Sequence, residues 1–124
     1  MSELWDKALE AADDARLLLR EGRFNGASNR AYYALFNTAR ALLIERYGAD
    51  TLDVKRHATV LRPFSKYFID AGLFDARFGA LLRRASEMRR VADYDELPVD
   101  EKEARQILEA MEQFLSIAAD VRKA

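Results

Sequence analysis

Apolar residues recur at a helical period along almost the whole chain. Leu4, Trp5, Ala8, Leu9, Ala12, Ala15, Leu18 and Leu19 follow i, i+3, i+4, i+7 spacing. They predict an amphipathic helix that begins after Ser2 as N-cap and ends at Gly22. A second helix is expected from about Ala27 to Tyr47, with Gly48 just past its end. Tyr32, Phe36, Ala39 and Leu43 line one side of it, and Leu35 and Leu42 widen the stripe. From Ala49 to Arg56 the pattern lapses, which marks the longest expected loop. Val60, Leu61, Phe64 and Phe68 then predict a short helix closed by Ala71-Gly72. Pro63 is tolerated there in the first turn, where its missing N–H has no intrahelical partner to lose. Asp75 is placed to cap a helix holding Phe78, Leu81, Leu82, Ala85 and Met88. The run Asp93-Tyr94-Asp95-Glu96-Leu97-Pro98 breaks the period. Asp100 and Glu103 form a near capping box for a last helix, whose buried stripe is Ile107, Leu108, Met111, Phe114, Leu115 and Ala118. With no β-type alternation, repeat or Gly/Ser linker, the expected fold is all-α. It is a single domain over residues 1–124, an up-and-down four-helix bundle with one additional short helix.

Composition narrows the chemistry. The chain has 124 residues, half of them apolar and 33% charged, which suits one compact domain and excludes a disordered chain. The absence of cysteine excludes disulfides, thiolate nucleophiles and Cys-based zinc sites. A single histidine, His57, excludes an HExxH metal site and any scheme that needs two imidazoles. Gly22 and Gly26 are isolated and no Walker-type lysine follows, so no phosphate loop is present and no cofactor is expected. No apolar run approaches the roughly 20 residues of a membrane span. The first residues also lack signal-peptide character. The expected setting is cytoplasmic, with no membrane partner.

The formal net charge of -1 argues against a strongly basic nucleic-acid binder, but the total hides a segregation. Residues 1–22 carry six acids against three bases, and residues 91–103 six acids against Lys102. Residues 23–48 carry Arg23, Arg30, Arg40 and Arg46 against Glu45. Residues 76–90 carry Arg77, Arg83, Arg84, Arg89 and Arg90 against Glu87. Two readings are open. The arginines form solvated faces with intrahelical pairs such as Arg83–Glu87, or they form a local phosphate-binding face.

On the second helix Arg30, Tyr33, Asn37, Ala41 and Ile44 recur at helical spacing. At about 100° per residue, Arg30 and Asn37 lie about 20° apart in projection, more than a quarter-turn from the core stripe. Tyr33, Ala34 and Ala41 flank the pair. A polar pair between small residues suits close approach by another helix or a ligand, or else satisfies its own hydrogen bonds across a dimer seam.

The string Ser28-Asn29-Arg30-Ala31-Tyr32-Tyr33-Ala34-Leu35-Phe36-Asn37-Thr38-Ala39-Arg40-Ala41-Leu42-Leu43 resembles the signature helix of HEPN domains. Lys55-Arg56-His57 is similar to that family's Lys-Thr-His segment, and Arg89-Arg90-Val91-Ala92-Asp93-Tyr94 to its Arg-x-x-x-Asp-Tyr segment. The resemblance runs over nearly the whole chain and points to the small stand-alone prokaryotic branch. It implies an all-α homodimer, toxin-like, acting on RNA as a metal-independent endoribonuclease, with a minimal nucleotidyltransferase as antitoxin. In that family an Arg-x4–6-His motif on the second long helix is catalytic, and dimerisation joins two motifs in one cleft. Arginine holds the scissile phosphate, and histidine moves the proton for attack by a ribose 2′-hydroxyl.

At the decisive position this chain departs from the pattern. Arg30 matches the arginine, but after six intervening residues Asn37 stands where the histidine is expected. Asparagine donates and accepts hydrogen bonds but takes no proton at pH 7. The implied catalytic set is Arg30, Asn37 and His57, with Tyr33, Lys55, Arg89, Arg90 and Tyr94 binding substrate. Other roles stay open for these residues. His57 also fits a helix-start or interface histidine, and Tyr33 and Tyr94 fit packing as well as base stacking. The alternative for the whole chain is a catalytically inactive dimeric partner module of the nucleotidyltransferase.

Overall fold

A computed structural model of the chain describes residues 3–48, 60–90 and 99–123, and the side chains within them except those of residues 88–90. The described residues contain helices and no strand. They run α1 (Glu3–Arg20), α2 (Phe24–Tyr47), α3 (Leu61–Phe64) continuing into a π-helical turn (Ser65–Ile69), α4 (Arg77–Arg90) and α5 (Glu101–Lys123). The expected all-α bundle of four long helices and one short one is the observed fold.

Local chemistry explains the ends of these helices. After α1, Gly22 takes φ +74, the Arg23 N–H donates to the Leu18 carbonyl and the Gly22 N–H to that of Leu19. This is a Schellman closure, which needs a left-handed residue that glycine supplies without a Cβ clash. The same pair of bonds recurs at Gly72 (φ +84), from Leu73 to Phe68 and from Gly72 to Ile69. Asp75 Oδ1 accepts from the Arg77 N–H at 2.9 Å, and Asp100 Oδ1 from the Glu103 N–H at 2.8 Å, so both predicted caps form. The α2 helix starts at Phe24, about one turn before the expected Ala27. Asn25 accepts the Val99 N–H on Oδ1 and ties the approach to α5 onto α2. Ser2 and the segments 49–59 and 91–98, where a cap, a loop and a break were expected, lie outside the described residues.

Side-chain pairs fix the helix directions. Arg16 of α1 forks onto Glu112 of α5 at 2.6 and 2.7 Å. Arg122, near the end of α5, forks onto Glu45 near the end of α2 at 2.8 and 2.9 Å and lies 4.2 Å from the Trp5 ring centre on α1. Hence α5 runs parallel to α2 and antiparallel to α1. Arg77 on α4 donates to Gln113 at 2.6 Å, and Phe78 meets the Phe114 ring, so α4 enters beside the second half of α5.

Two kinds of packing hold the bundle. The α1–α2 contact, the most extensive between helices, is built largely on alanine. Ala11, Ala12 and Ala15 cluster with Ala27, Ala31 and Ala34, all fully buried, and Leu108, Met111 and Leu115 of α5 complete the cluster. Small side chains let the two backbones approach closely. The other end is aromatic: Phe64, Phe68, Phe74, Phe78 and Phe114 make ring contacts with centroids 4.9–6.1 Å apart.

The Arg16 fork sets a pH dependence. Its hydrogen bonds hold the Glu112 carboxyl below the usual carboxylate range, and desolvation opposes them only in part. A depressed folded-state pKa contributes stability that is present above the unfolded value of about 4.3 and is lost as pH falls through the folded value. The Glu112 side chain is 48% exposed, so solvent screening limits the contribution to under about 1 kcal/mol. Glu112→Gln is therefore expected to melt slightly below the wild-type chain at pH 7. The gap should close below about pH 4 in thermal denaturation followed by circular dichroism.

Candidate functional site

One stripe of α2 keeps partial solvent exposure between its two packed sides. The alanine side, Ala27, Ala31 and Ala34, packs with α1, while Leu35, Phe36, Ala39 and Leu43 enter the core shared with Phe78, Leu82 and Ala85 of α4. Between these two faces run Arg30, Tyr33, Asn37, Arg40, Ile44 and Tyr47, alternately three and four residues apart. That spacing keeps all six in one stripe along the helix. All but Asn37 retain solvent exposure.

Arg30 and Asn37 differ in burial. Arg30 is half-buried, and its guanidinium carbon lies 4.5 Å from the centre of the Tyr33 ring, a cation–π contact that orients the side chain along the stripe. Its Nε is buried and meets no hydrogen-bond acceptor among the described residues. Asn37 is 1% exposed, at the inner edge of the stripe between the fully buried Ala34 and Ala41. Its Nδ2 is likewise buried and without an acceptor among the described residues. A buried donor left unpaired costs about 1–3 kcal/mol, so two such donors two turns apart favour the arrival of an acceptor. Ser28 Oγ and Thr38 Oγ1 are also buried without a partner among the described residues, and both residues lie off the stripe.

The other expected site residues fall into two groups. Lys55, His57 and Tyr94 lie outside the described residues. Arg89 and Arg90 belong to the last turn of α4, with side chains outside the description. The structure thus brings Arg30, Tyr33 and Asn37 together on one face. On α4, Arg84 reaches α2: its guanidinium carbon lies 5.9 Å from the Tyr32 ring centre. Burial pushes the Tyr32 phenol up, and the nearby Arg84 cation partly offsets this. Among the described residues no three His, Asp or Glu side chains gather as a metal site. No helix among them is long and apolar enough to cross a membrane.

Sequence reasoning passed over Tyr47 and Tyr67. Their rings stack at 4.1 Å between centroids and 23° between planes, at the far end of the same stripe. The alternating spacing of three and four was visible as far as Ile44 and extends by one step to Tyr47.

The described residues thus form an all-α bundle in which Arg30 Nε and Asn37 Nδ2 lie on one stripe of α2 without an acceptor among those residues. The chain belongs to the HEPN domain family, whose model matches residues 1–121. It is 39% identical over 102 residues to a UPF0332 protein of Thermotoga maritima, covering 82% of this chain and 74% of that protein. A protein of Methanocaldococcus jannaschii named "Putative toxin MJ0605" is 32% identical over 108 residues, 87% of this chain and 78% of its own length. A UPF0332 protein of Gloeobacter violaceus is 28% identical over 120 residues, 95% and 92% of the two chains. No solved structure matches the chain at a significant level. The family assignment and the names of the relatives support a toxin-like HEPN protein.

Proposed function

We propose that this HEPN protein binds RNA on the open face of α2 and acts there as a weakened, metal-independent endoribonuclease of a cytoplasmic toxin–antitoxin system. The observation that carries this reading is a pair of buried donors, Arg30 Nε and Asn37 Nδ2, with no acceptor among the described residues and on one edge of that face. Phosphate oxygens are the acceptors that suit them, because a guanidinium and an amide N–H together offer charge-assisted and neutral hydrogen bonds to an anion. In the reaction, Arg30 holds the scissile phosphate and offsets charge as the ribose 2′-hydroxyl attacks the phosphorus and the 5′-oxygen departs. Asn37 fixes an oxygen of the reacting group by donation from Nδ2 but removes no proton. Proton transfer falls to His57, the chain's one imidazole.

The active unit is a homodimer, in which the partly exposed stripes of two copies face one cleft. Its antitoxin partner is a minimal nucleotidyltransferase. Toxin-named relatives and the HEPN family match support the toxin-like part of this reading, and the alternation of three and four residues along α2 suits helix-to-helix pairing.

Incubating the purified chain with mixed RNA in EDTA, beside Arg30→Ala, tests the reading. Cleavage by the wild-type chain that Arg30→Ala reduces at least about 100-fold is the expected result, as for loss of a transition-state charge contact. Equal cleavage by both proteins overturns the Arg30-centred mechanism. RNA binding without cleavage, together with recovery of a nucleotidyltransferase from native lysate, would favour the inactive partner module.

A further inference from the structure

The stripe on α2 ends in an aromatic surface that the Arg30–Asn37 chemistry does not use. Tyr47, the last residue of α2, is 42% exposed although one face of its ring is stacked on Tyr67. It also makes a T-shaped contact with Phe68, centroids 6.0 Å apart and planes at 76°, and Phe68 is fully buried, so the exposed residue is anchored to the core. Tyr67 comes from the π-helical turn Ser65–Ile69, where the Asp70 N–H reaches back five residues to the Ser65 carbonyl. While Phe64 and Phe68 are buried on this segment, Tyr67 reaches outward to Tyr47. Turns of this kind are rare and concentrate at functional sites.

The charges around the pair suit a polyanion. Lys66 Nζ lies 5.3 Å from the Tyr67 ring centre. Arg46, next to Tyr47, is exposed. Glu45, the acid at this end of α2, is occupied by the fork from Arg122. Tyr47 continues the stripe about 15 Å beyond Asn37, ten residues along the helix at about 1.5 Å each. Arg40 stands between them, on the same side.

We propose that the stacked Tyr47–Tyr67 pair is a platform for a base of single-stranded RNA whose backbone is held at Arg30 and Asn37. This deepens the RNA-binding reading and rests on it. A partly exposed aromatic ring backed by a second ring offers any nucleobase a stacking surface, without regard to sequence. Lys66 and Arg46 take the flanking phosphates. The ligand is therefore an unpaired stretch a few nucleotides long, since bases stacked within a duplex cannot reach the platform.

Fluorescence anisotropy with a labelled single strand of about 12 nucleotides tests this, using the full chain. Tyr47→Phe should bind as the wild-type chain does, and Tyr47→Ser should bind about 5- to 150-fold more weakly, the range for loss of one stacked base. Replacing the bases by abasic sites should weaken binding to the wild-type chain and leave Tyr47→Ser unaffected. Arg30→Ala should lose affinity for normal and abasic strands alike. If Tyr47→Ser binds as tightly as the wild-type chain while Arg30→Ala does not bind, the platform is refuted and the RNA reading stands. If the wild-type chain binds no single strand, both fall. A change in solution mass for Tyr47→Ser would assign the tyrosine pair to an interface between copies and overturn the platform.

Discussion

Phe114→Ala is expected to lower stability by about 3–5 kcal/mol, and the melting temperature by about 10–20 °C. Phe114 is fully buried and meets three rings, Phe64 at 5.6 Å, Phe74 at 4.9 Å and Phe78 at 5.1 Å between centroids. These rings belong to α3, to the segment before α4 and to α4 itself, so one side chain of α5 joins three parts of the chain. Truncation removes the transfer free energy of a phenyl group and leaves a cavity walled by aromatic rings, which cannot collapse without moving whole helices. The α1–α2 alanine contact lies in a separate cluster and keeps its packing. The variant should therefore melt early while Arg30 and Asn37 stay in place below the transition. Chemical denaturation that shows a loss under about 1 kcal/mol would contradict the role given to the ring cluster.

Much of this was legible in the sequence. Period alone located every helix, because each buries a single stripe against the others, and Gly22, Gly72, Asp75 and Asp100 marked ends through local chemistry that needs no tertiary partner. The early start of α2 was not legible, since Asn25 is recruited by a backbone N–H from Val99, far along the chain. The π-helical turn was hidden too: it shifts register by one residue within a run that reads equally well as α-helix. For the site, rotation per residue sufficed to put Arg30 and Asn37 on one edge of α2. The near-complete burial of Asn37 was beyond it. Burial at a helix edge depends on what other parts of the chain lay against it, which rotation along one helix does not encode. Likewise the pairing of Tyr47 with Tyr67 joins residues from two elements, a contact no local period encodes.

Asn37→His is expected to raise RNA cleavage by about 10²- to 10⁴-fold, the usual yield of a positioned general base. The substitution restores the proton-transfer group at the place where the HEPN motif carries it, two turns from Arg30. Imidazole and carboxamide share their first branch point, so a ring nitrogen falls near the present Nδ2, and the remaining ring atoms extend toward the open stripe. Because Asn37 is 1% exposed between Ala34 and Ala41, the larger ring overpacks the slot, at a cost of about 1–3 kcal/mol in stability. Burial and the neighbouring Arg30 cation both favour the neutral imidazole, the form that accepts a proton. Cleavage by the variant should therefore rise with pH through the imidazole range and then level off. Asn37→Gln, which supplies no base, should show no gain, and adding Arg30→Ala to Asn37→His should abolish the gain. A folded Asn37→His chain that binds RNA yet cleaves it no faster would place the reacting phosphate away from Asn37. It would also remove Asn37 from the reaction and leave proton transfer to His57 alone.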